Sequence, residues 1–255
     1  MQLSNRRIVI TGAASGIGLA LLEQLARQPG HIVAVDRAHI DLSVLKRSVA
    51  NIQTFKADLS QPQEIDTVFA FAQEVMGGLD IFFANAGFAY YETVKPDWQR
   101  VRSVYEVNVF SPLYTLAKMA QINHQQPYAV IITASAMAHT ALPGYAHYAA
   151  TKAALHRFAE AYRYEMPENG HLMLVYPIAT RTRFFASAAN NTPKAYPTQT
   201  PDYVAGRIIA GLQKGKKRVY PSTLYRVMYT LPLIESLYQI YANWQFRQWI
   251  KHQKA

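Results

Sequence analysis

The chain has 255 residues, half of them hydrophobic and 16% charged, with a formal net charge of +10. Such a chain can bury the core of one large α/β domain. It contains no cysteine, which excludes disulfides, thiolate metal sites and thiol catalysis and fits a reducing, cytoplasmic setting. The eight histidines are scattered without metal-ligand spacing, so no metal is expected. The charge is uneven: residues 203–255 hold nine Lys/Arg and one acid, Glu235, which leaves +2 for the first 202.

Arg6 to Thr11 reads as a buried strand centred on Ile8, Val9 and Ile10. Thr11-Gly-Ala-Ala-Ser-Gly16-Ile-Gly18 follows, and then the helical run Leu19 to Ala26. Arg6-Arg7 before an apolar stretch has a faint look of an export signal. Gly12, Gly16 and Gly18 instead fall where a nucleotide loop needs them, so export is rejected. Glycines at a strand-to-helix turn let backbone amides approach a pyrophosphate, which the helix N-terminus attracts. The next strand, His31 to Val35, ends at Asp36, eighteen residues past Gly18, where a carboxylate can accept hydrogen bonds from a ribose. Asp36 would repel a 2′-phosphate and Arg37 could pair with one. With no basic residue in Ala13-Ala14-Ser15, NAD is favoured and NADP is the alternative.

Further strands recur at helix-sized intervals: Ile52 to Lys56, Leu79 to Ala84, Ala129 to Thr133 and His171 to Tyr176. Helical stretches run from Gln63 to Met76, Trp98 to Ile122 and His147 to Glu165. This alternation predicts an α/β fold, a Rossmann-type doubly wound parallel sheet with helices on both faces, in a single domain over 1–255. No Asp, Glu, Lys or Arg lies between Lys118 and Lys152, but Asn123 to Pro127 and Pro143-Gly144 break that stretch, and no transmembrane helix is expected. In such sheets ligands bind beyond the carboxyl ends of the strands. Those ends carry Asp58-Leu59, Asn85-Ala86-Gly87 and Ser135.

Tyr148-Ala-Ala-Thr-Lys152 sets a phenol and an ammonium on one helix face. A free phenol has a pKa of about 10, and a close cation would lower it toward a useful proton donor. With the glycine loop, Asp36, the Asn85 turn and Ser135, the chain resembles the short-chain dehydrogenase/reductase family, in its compact single-domain branch, from about Arg6 to Tyr220. The resemblance implies an NAD(P)-dependent oxidoreductase that interconverts an alcohol and a ketone or aldehyde. It assigns Asn108, Ser135, Tyr148 and Lys152 to catalysis. Tyr148 would exchange the proton, Ser135 orient the substrate oxygen, and Lys152 lower the phenol and bind the nicotinamide ribose. It places Gly12, Ser15, Gly16, Ile17 and Gly18 in the dinucleotide loop, Asp36 and Arg37 at the ribose, and Asp58 and Leu59 at the adenine. Asn85, Ala86 and Gly87, then Pro177, Thr180 and Thr182, would follow the cofactor toward the nicotinamide. A homodimer or homotetramer is implied as well.

Two positions need their own argument. Pro112 has no N–H for the Asn108 carbonyl four residues earlier, so a helical kink is expected there. After the sixth strand the family has Pro-Gly, whereas this chain has Pro177-Ile178. A β-branched residue disfavours positive φ, so the loop leading to Thr182 is expected to differ in shape.

Phe88, Tyr90, Tyr91, Met137, His139, Leu142, Tyr145, Phe184 and Phe185 sit in the loops after the strands and suggest an apolar, lipid-like or steroid-like substrate. His139 and His147 read as surface or rim residues rather than second acids. Ala179 to Pro201 reads as a lid over the cofactor. Residues 222–255 form an extension with Tyr225, Tyr229, Tyr238, Tyr241, Trp244, Phe246 and Trp249, and with basic residues before and after it. It either packs on the protein's own core or a sister subunit, or rests on an anionic membrane surface. No nucleic-acid motif accompanies the charge. Two other function classes stand beside the dehydrogenase: a catalytically silent nucleotide sensor, and a membrane-peripheral scaffold. The presence of both Tyr148 and Lys152 favours the enzyme.

Overall fold

A computed structural model describes every residue except 46, 92–95, 183, 185–196, 230–239, 242, 245–246, 249–250 and 252–255. Seven strands, β1 (Arg6–Thr11), β2 (Gly30–Asp36), β3 (Asn51–Lys56), β4 (Ile81–Ala84), β5 (Tyr128–Thr133), β6 (Gly170–Val175) and β7 (Arg218–Val219), form one sheet in the order β3-β2-β1-β4-β5-β6-β7. Every pairing is parallel. The helices are α1 (Gly16–Leu25), α2 (Pro62–Met76), α3 (Trp98–Tyr105), α4 (Ser111–Ile122), α5 (Ala146–Tyr162), α6 (Pro201–Gln213) and α7 (Thr223–Tyr229).

Alternation along the strands builds two cores, one on each face of the sheet. Val9, Val33, Val35, Phe82, Val130, Ile132, Leu172 and Leu174 face one side, with Ile65, Val68 and Phe69 of α2, Leu116 of α4 and Leu155 of α5. Ile8, Ile10, Ile32, Ala34, Ile81, Phe83, Ile131 and Met173 face the other, with Leu21 and Leu22 of α1 and Val204 and Ile208 of α6. Each such side chain removed from water stabilises the fold by about 1.5–3 kcal/mol, which is why these runs had to become central strands.

Helix ends follow local chemistry. Pro62 opens α2 and Gly77 closes it at φ +67°. Asp97 caps α3 by accepting from Gln99 N and Arg100 N, and Thr200 caps α6 by accepting from Tyr203 N. The long helix expected over 98–122 is interrupted. Glu106–Phe110 winds as a π-helical turn, and Ser111 N–H donates to the Glu106 carbonyl five residues back. Pro112 cannot donate to Asn108 O, and the widened turn stands where that bond would fall. The strand β7 and the helix α6 were not anticipated. Two sheet residues are too few for a periodicity to register. Among the described residues no helix is long and apolar enough to cross a membrane.

The order of strands reverses between β1, which continues outward through β2, and β4, which continues through β5. Loops at the carboxyl ends part there and leave a crevice.

Candidate active site

The glycine turn after β1 borders this crevice. Gly12 and Gly16 have φ of +67° and +58°, backbone that a side chain strongly disfavours. Gly18 is glycine for a different reason: a Cβ there would run into the Gly12 carbonyl and come within 2.8 Å of Asn85 Nδ2. Ser15 precedes α1 without a side-chain cap, so the first amides of that helix remain available to an anion. Asp36 accepts from Ala14 N (3.0 Å) and from Ala38 N (2.9 Å), which pins the glycine turn to the end of β2. Gly18→Ala is expected to cost about 1–3 kcal/mol by overpacking. It would be read as a lower midpoint of thermal unfolding that added dinucleotide no longer raises.

A hydrogen-bond chain runs from that turn into the centre of the site. Thr11 Oγ1 donates to Phe83 O (3.2 Å) and accepts from Asn85 N (3.0 Å) and Ala86 N (3.1 Å). Asn85 Nδ2 donates to Thr11 O (3.1 Å), and Thr133 Oγ1 donates to Asn85 Oδ1 (3.1 Å). Lys152 Nζ then donates to Thr133 O (2.9 Å). Three strand ends are thereby tied to one lysine. Thr11 and Thr133 received no role from the sequence, because nothing local shows that their hydroxyls meet Asn85.

Tyr148 and Lys152 lie on the buried face of α5, with Thr151, Leu155 and Ala159. The Lys152 ammonium stands 5.6 Å from the centre of the Tyr148 ring. Ser135, extended at the start of a 3₁₀ turn over Ala136–Ala138, accepts from Met137 N (3.1 Å) and hydrogen-bonds the Tyr148 hydroxyl. Asn108 is 1% exposed. Its side chain clamps both backbone groups of Phe88, Oδ1 accepting from N (3.1 Å) and Nδ2 donating to O (2.9 Å), and it also reaches Thr151 Oγ1 (3.3 Å). Gly87 keeps this corner open, since a Cβ there would lie 3.0 Å from Asn108 Oδ1 and 3.5 Å from Lys152 Nζ.

The electrostatics depart from the expectation that Lys152 lowers the phenol. Burial pushes Tyr148 up to about 12; the Ser135 hydrogen bond works against that rise and Tyr145 adds to it. Burial takes Lys152 down to about 7. Desolvation decides both, because the ammonium sits toward the ring and bonds a backbone carbonyl. The resting phenol is thus a protonated donor.

A cleft of about 520 Å³ joins these parts. Gly12, Ser15, Gly16, Ile17, Asp36, Arg37, Asp58 and Leu59 line one end; Asn85, Ala86, Gly87, Ser135, Tyr148, Lys152, Pro177, Thr180 and Thr182 line the middle. The family model of the short chain dehydrogenases matches residues 6–193. The chain belongs to the short-chain dehydrogenase family. A hydroxysteroid 11-beta-dehydrogenase 1-like protein of Xenopus tropicalis is 26% identical over 230 residues, 86% of this chain and 80% of that protein. The fold matches a short-chain dehydrogenase/reductase of Burkholderia phymatum, solved in complex with NAD. The TM-score is 0.81 at 18% identity, over 91% of this chain and 94% of that one. It also matches a short-chain dehydrogenase of Sphingobium yanoikuyae, solved in complex with NADPH, with a TM-score of 0.77 at 23% identity, over 85% and 87% of the two chains.

As a short-chain dehydrogenase the protein is an oxidoreductase of CH–OH groups that uses NAD(P). Its own residues fit a dinucleotide: α1 lacks a side-chain cap, Gly18 leaves no room for a Cβ, and Asp36 lies where β2 ends. Gly18 itself stands behind the cleft wall. Ile178 does not strain its loop, since among the described residues Asn5 is the only non-glycine with positive φ. Beyond it Thr180 Oγ1 donates to Ile178 O (2.9 Å). Thr182 lies against Gly16, its methyl 3.0 Å from where a Cβ on that glycine would stand. The expected lid is pinned at its base, Arg181 N to Gln199 O and Gln199 N to Ala179 O, both 2.9 Å. Residues 185–196, and Phe185 with them, lie outside the described residues.

For this short-chain dehydrogenase, Phe88, Met137, Leu142, Tyr145 and Phe184 do line the cleft. Tyr90 and Tyr91 do not: Tyr90 packs on Phe88 and under Arg100, and Tyr91 on Gly144 and Tyr145. His139 is not a rim residue either. Its ring lies 4.0 Å from Tyr229, 4.4 Å from His156 and 5.0 Å from Tyr176, centre to centre. Burial and the neighbouring His156 take it down to about 4, so it is neutral. His147 packs edge-on against Trp98. The lining also includes Leu224, Tyr225, Met228 and Tyr229 of α7, which brings the start of the C-terminal extension to the mouth of the protein's own cleft. Further along, Tyr241 and Trp244 stack at 6.3 Å and are exposed, whereas Tyr238, Phe246 and Trp249 lie outside the described residues.

Proposed function

We propose that the chain interconverts an apolar secondary alcohol and its ketone, or a primary alcohol and its aldehyde, with Tyr148 as acid/base. The carrying observation is the buried constellation of the Tyr148 hydroxyl, the Ser135 hydroxyl bonded to it, and Lys152 behind, all opening into one cleft. A bound nicotinamide supplies the hydride. In reduction Tyr148 gives its proton to the carbonyl oxygen, which gains electron density as the hydride arrives. Ser135 donates to that same oxygen and holds it facing Tyr148. Lys152 would bind the ribose hydroxyls of the dinucleotide and, when charged, would favour the phenolate that remains. Asn108 fixes the Phe88 backbone beside Gly87, which keeps the cofactor path clear. In oxidation each step reverses.

Beyond Tyr148 the cleft wall is Met137, Leu142, Tyr145, Phe184, Leu224, Tyr225, Met228 and Tyr229, with no charged side chain among them. That supports an uncharged substrate, steroid-like or lipid-like in bulk. The test is NADH or NADPH oxidation across a carbonyl panel that runs from small ketones to aryl and steroid ketones; no turnover with any member would refute the reading.

NAD is favoured as cofactor. Asp36 presents a carboxylate at the ribose end that would repel a 2′-phosphate, while the exposed Arg37 has its guanidinium 5.8 Å from the Phe88 ring. The KM for NADPH is expected to exceed that for NADH by about tenfold or more, which corresponds to about 1.4 kcal/mol. Asp36→Ser should narrow the ratio, and equal KM values in the wild type would reverse the assignment. Homo-oligomerisation and peripheral membrane contact belong to the same reading. Exposed Trp98 and Phe110 support the first, and exposed Ile240, Tyr241 and Trp244 in a basic extension support the second.

A further inference from the structure

The residue after Ser135 is held from two distant parts of the chain. Ala136 N donates to Pro177 O at 2.8 Å, in the loop beyond β6. Ala136 O accepts from the Tyr225 hydroxyl at 2.8 Å, from α7, as well as from His139 N and Thr140 N. Both peptide groups that flank Ala136 therefore carry a tertiary contact besides the local bonds of the turn, and the second of them also holds the Ser135 side chain, since Met137 N donates to Ser135 Oγ.

α7 is itself anchored at that turn. Ser222 Oγ accepts from Tyr225 N (3.1 Å). The Tyr229 ring lies 4.0 Å from His139, and Tyr220 stacks on Tyr176 at 4.7 Å while its hydroxyl contacts His139 Nε2 at 3.3 Å. His156 Nδ1 hydrogen-bonds Tyr176 Oη at 2.8 Å and fixes the far end of the stack in α5. On the short helix, Leu224, Tyr225, Met228 and Tyr229 form one face and line the cleft, as positions i, i+1, i+4 and i+5 must. Arg226 points away, exposed.

We propose that Tyr225 is a positioning residue for Ser135: its hydroxyl, held by the imidazole–tyrosine stack, fixes the Ala136 carbonyl and with it the angle at which Ser135 meets the substrate oxygen. This rests on the dehydrogenase reading for its kinetic consequence but not for its structural one. α7 then borders the active site, and removal of the Tyr225 hydroxyl, 89 positions from the Ala136 carbonyl that it bonds, changes how Ser135 is presented while Ser135, Tyr148 and Lys152 themselves stay unchanged.

The test is Tyr225→Phe in the full chain, which keeps the ring and its packing, with Arg226→Gln as the control on the opposite face. Hydrogen exchange is measured on the peptide over residues 134–140. The variant is expected to speed exchange there several-fold, with α2 and α4 unchanged and Arg226→Gln like the wild type. Unchanged exchange in that peptide overturns the proposal whatever the activity. With propiophenone as the carbonyl probe, Tyr225→Phe is expected to lower kcat by about tenfold, about 1.4 kcal/mol of transition-state stabilisation, with KM moved less than twofold. A higher KM at unchanged kcat would make Tyr225 a wall residue only and overturn its positioning role. If the wild type reduces no carbonyl at all, the functional reading fails, while the exchange result still decides whether Tyr225 holds the turn.

Discussion

Tyr148→Phe is expected to lower kcat about a thousandfold, within the range for loss of a positioned acid–base group, while dinucleotide affinity stays within about twofold. The hydroxyl combines burial in the cleft with a bond to Ser135. Phenylalanine keeps the ring contacts to Tyr145 and Phe184, at 6.5 and 5.4 Å, so the fold is not disturbed. The result would come from steady-state rates on any carbonyl the wild type reduces, with dinucleotide binding followed by quenching of protein fluorescence. Retained turnover would take Tyr148 out of the chemistry. Because burial holds the phenol up to about 12, reduction should run without loss of rate through the neutral range on account of this group.

Lys152→Met is expected to abolish turnover as well, and yet to stabilise the dinucleotide-free protein near pH 7. In the unfolded chain the ammonium titrates near 10.5, and in the folded protein near 7. Between those values the unfolded chain binds more protons, so stability rises with pH across that window. Below about pH 7 the burial penalty is present in full. At about 1.4 kcal/mol per pKa unit the penalty amounts to several kcal/mol. Methionine removes it, less the roughly 1–3 kcal/mol of leaving the Thr133 carbonyl without its donor. Denaturant unfolding from pH 6 to 9.5 decides the matter. The wild type should gain stability upward from pH 7 relative to the variant, and parallel profiles would show that Lys152 is not buried as a strained cation. That outcome would mark Lys152 as a buried cation that costs stability, as expected of a group retained for function.

The strands that build the cores were legible because buried runs such as Ile8 to Ile10 and Val130 to Ile132 carry their signal locally, bounded by glycine, proline and polar turns. The glycine loop, Asp36, Ser135 and the Tyr148–Lys152 pair were legible for the same reason, since each is a short motif at a strand end or on one helix face. The pKa expectation failed because sequence spacing shows that a lysine is near a tyrosine but not which group it bonds. Here the partner is the Thr133 carbonyl, 19 positions away, and burial outweighs the attraction. His139 was misplaced in the same manner. A lone histidine after a strand reads as a rim residue until α5, β6 and α7 are seen to close around it.

Sequence by itself determined the alternation of the first six strands with their helices, the family, and the residue types offered to the crevice, because backbone preference, hydrophobic periodicity and motif spacing act over a few neighbouring residues. Only the tertiary structure decided which hydroxyls tie three strand ends to Lys152, that burial raises the phenol rather than the lysine lowering it, and that Tyr225 of α7 bonds the Ala136 carbonyl. Those properties arise from groups separated by tens of residues, and from the water that folding removes around them; neither is written in any local stretch of the chain.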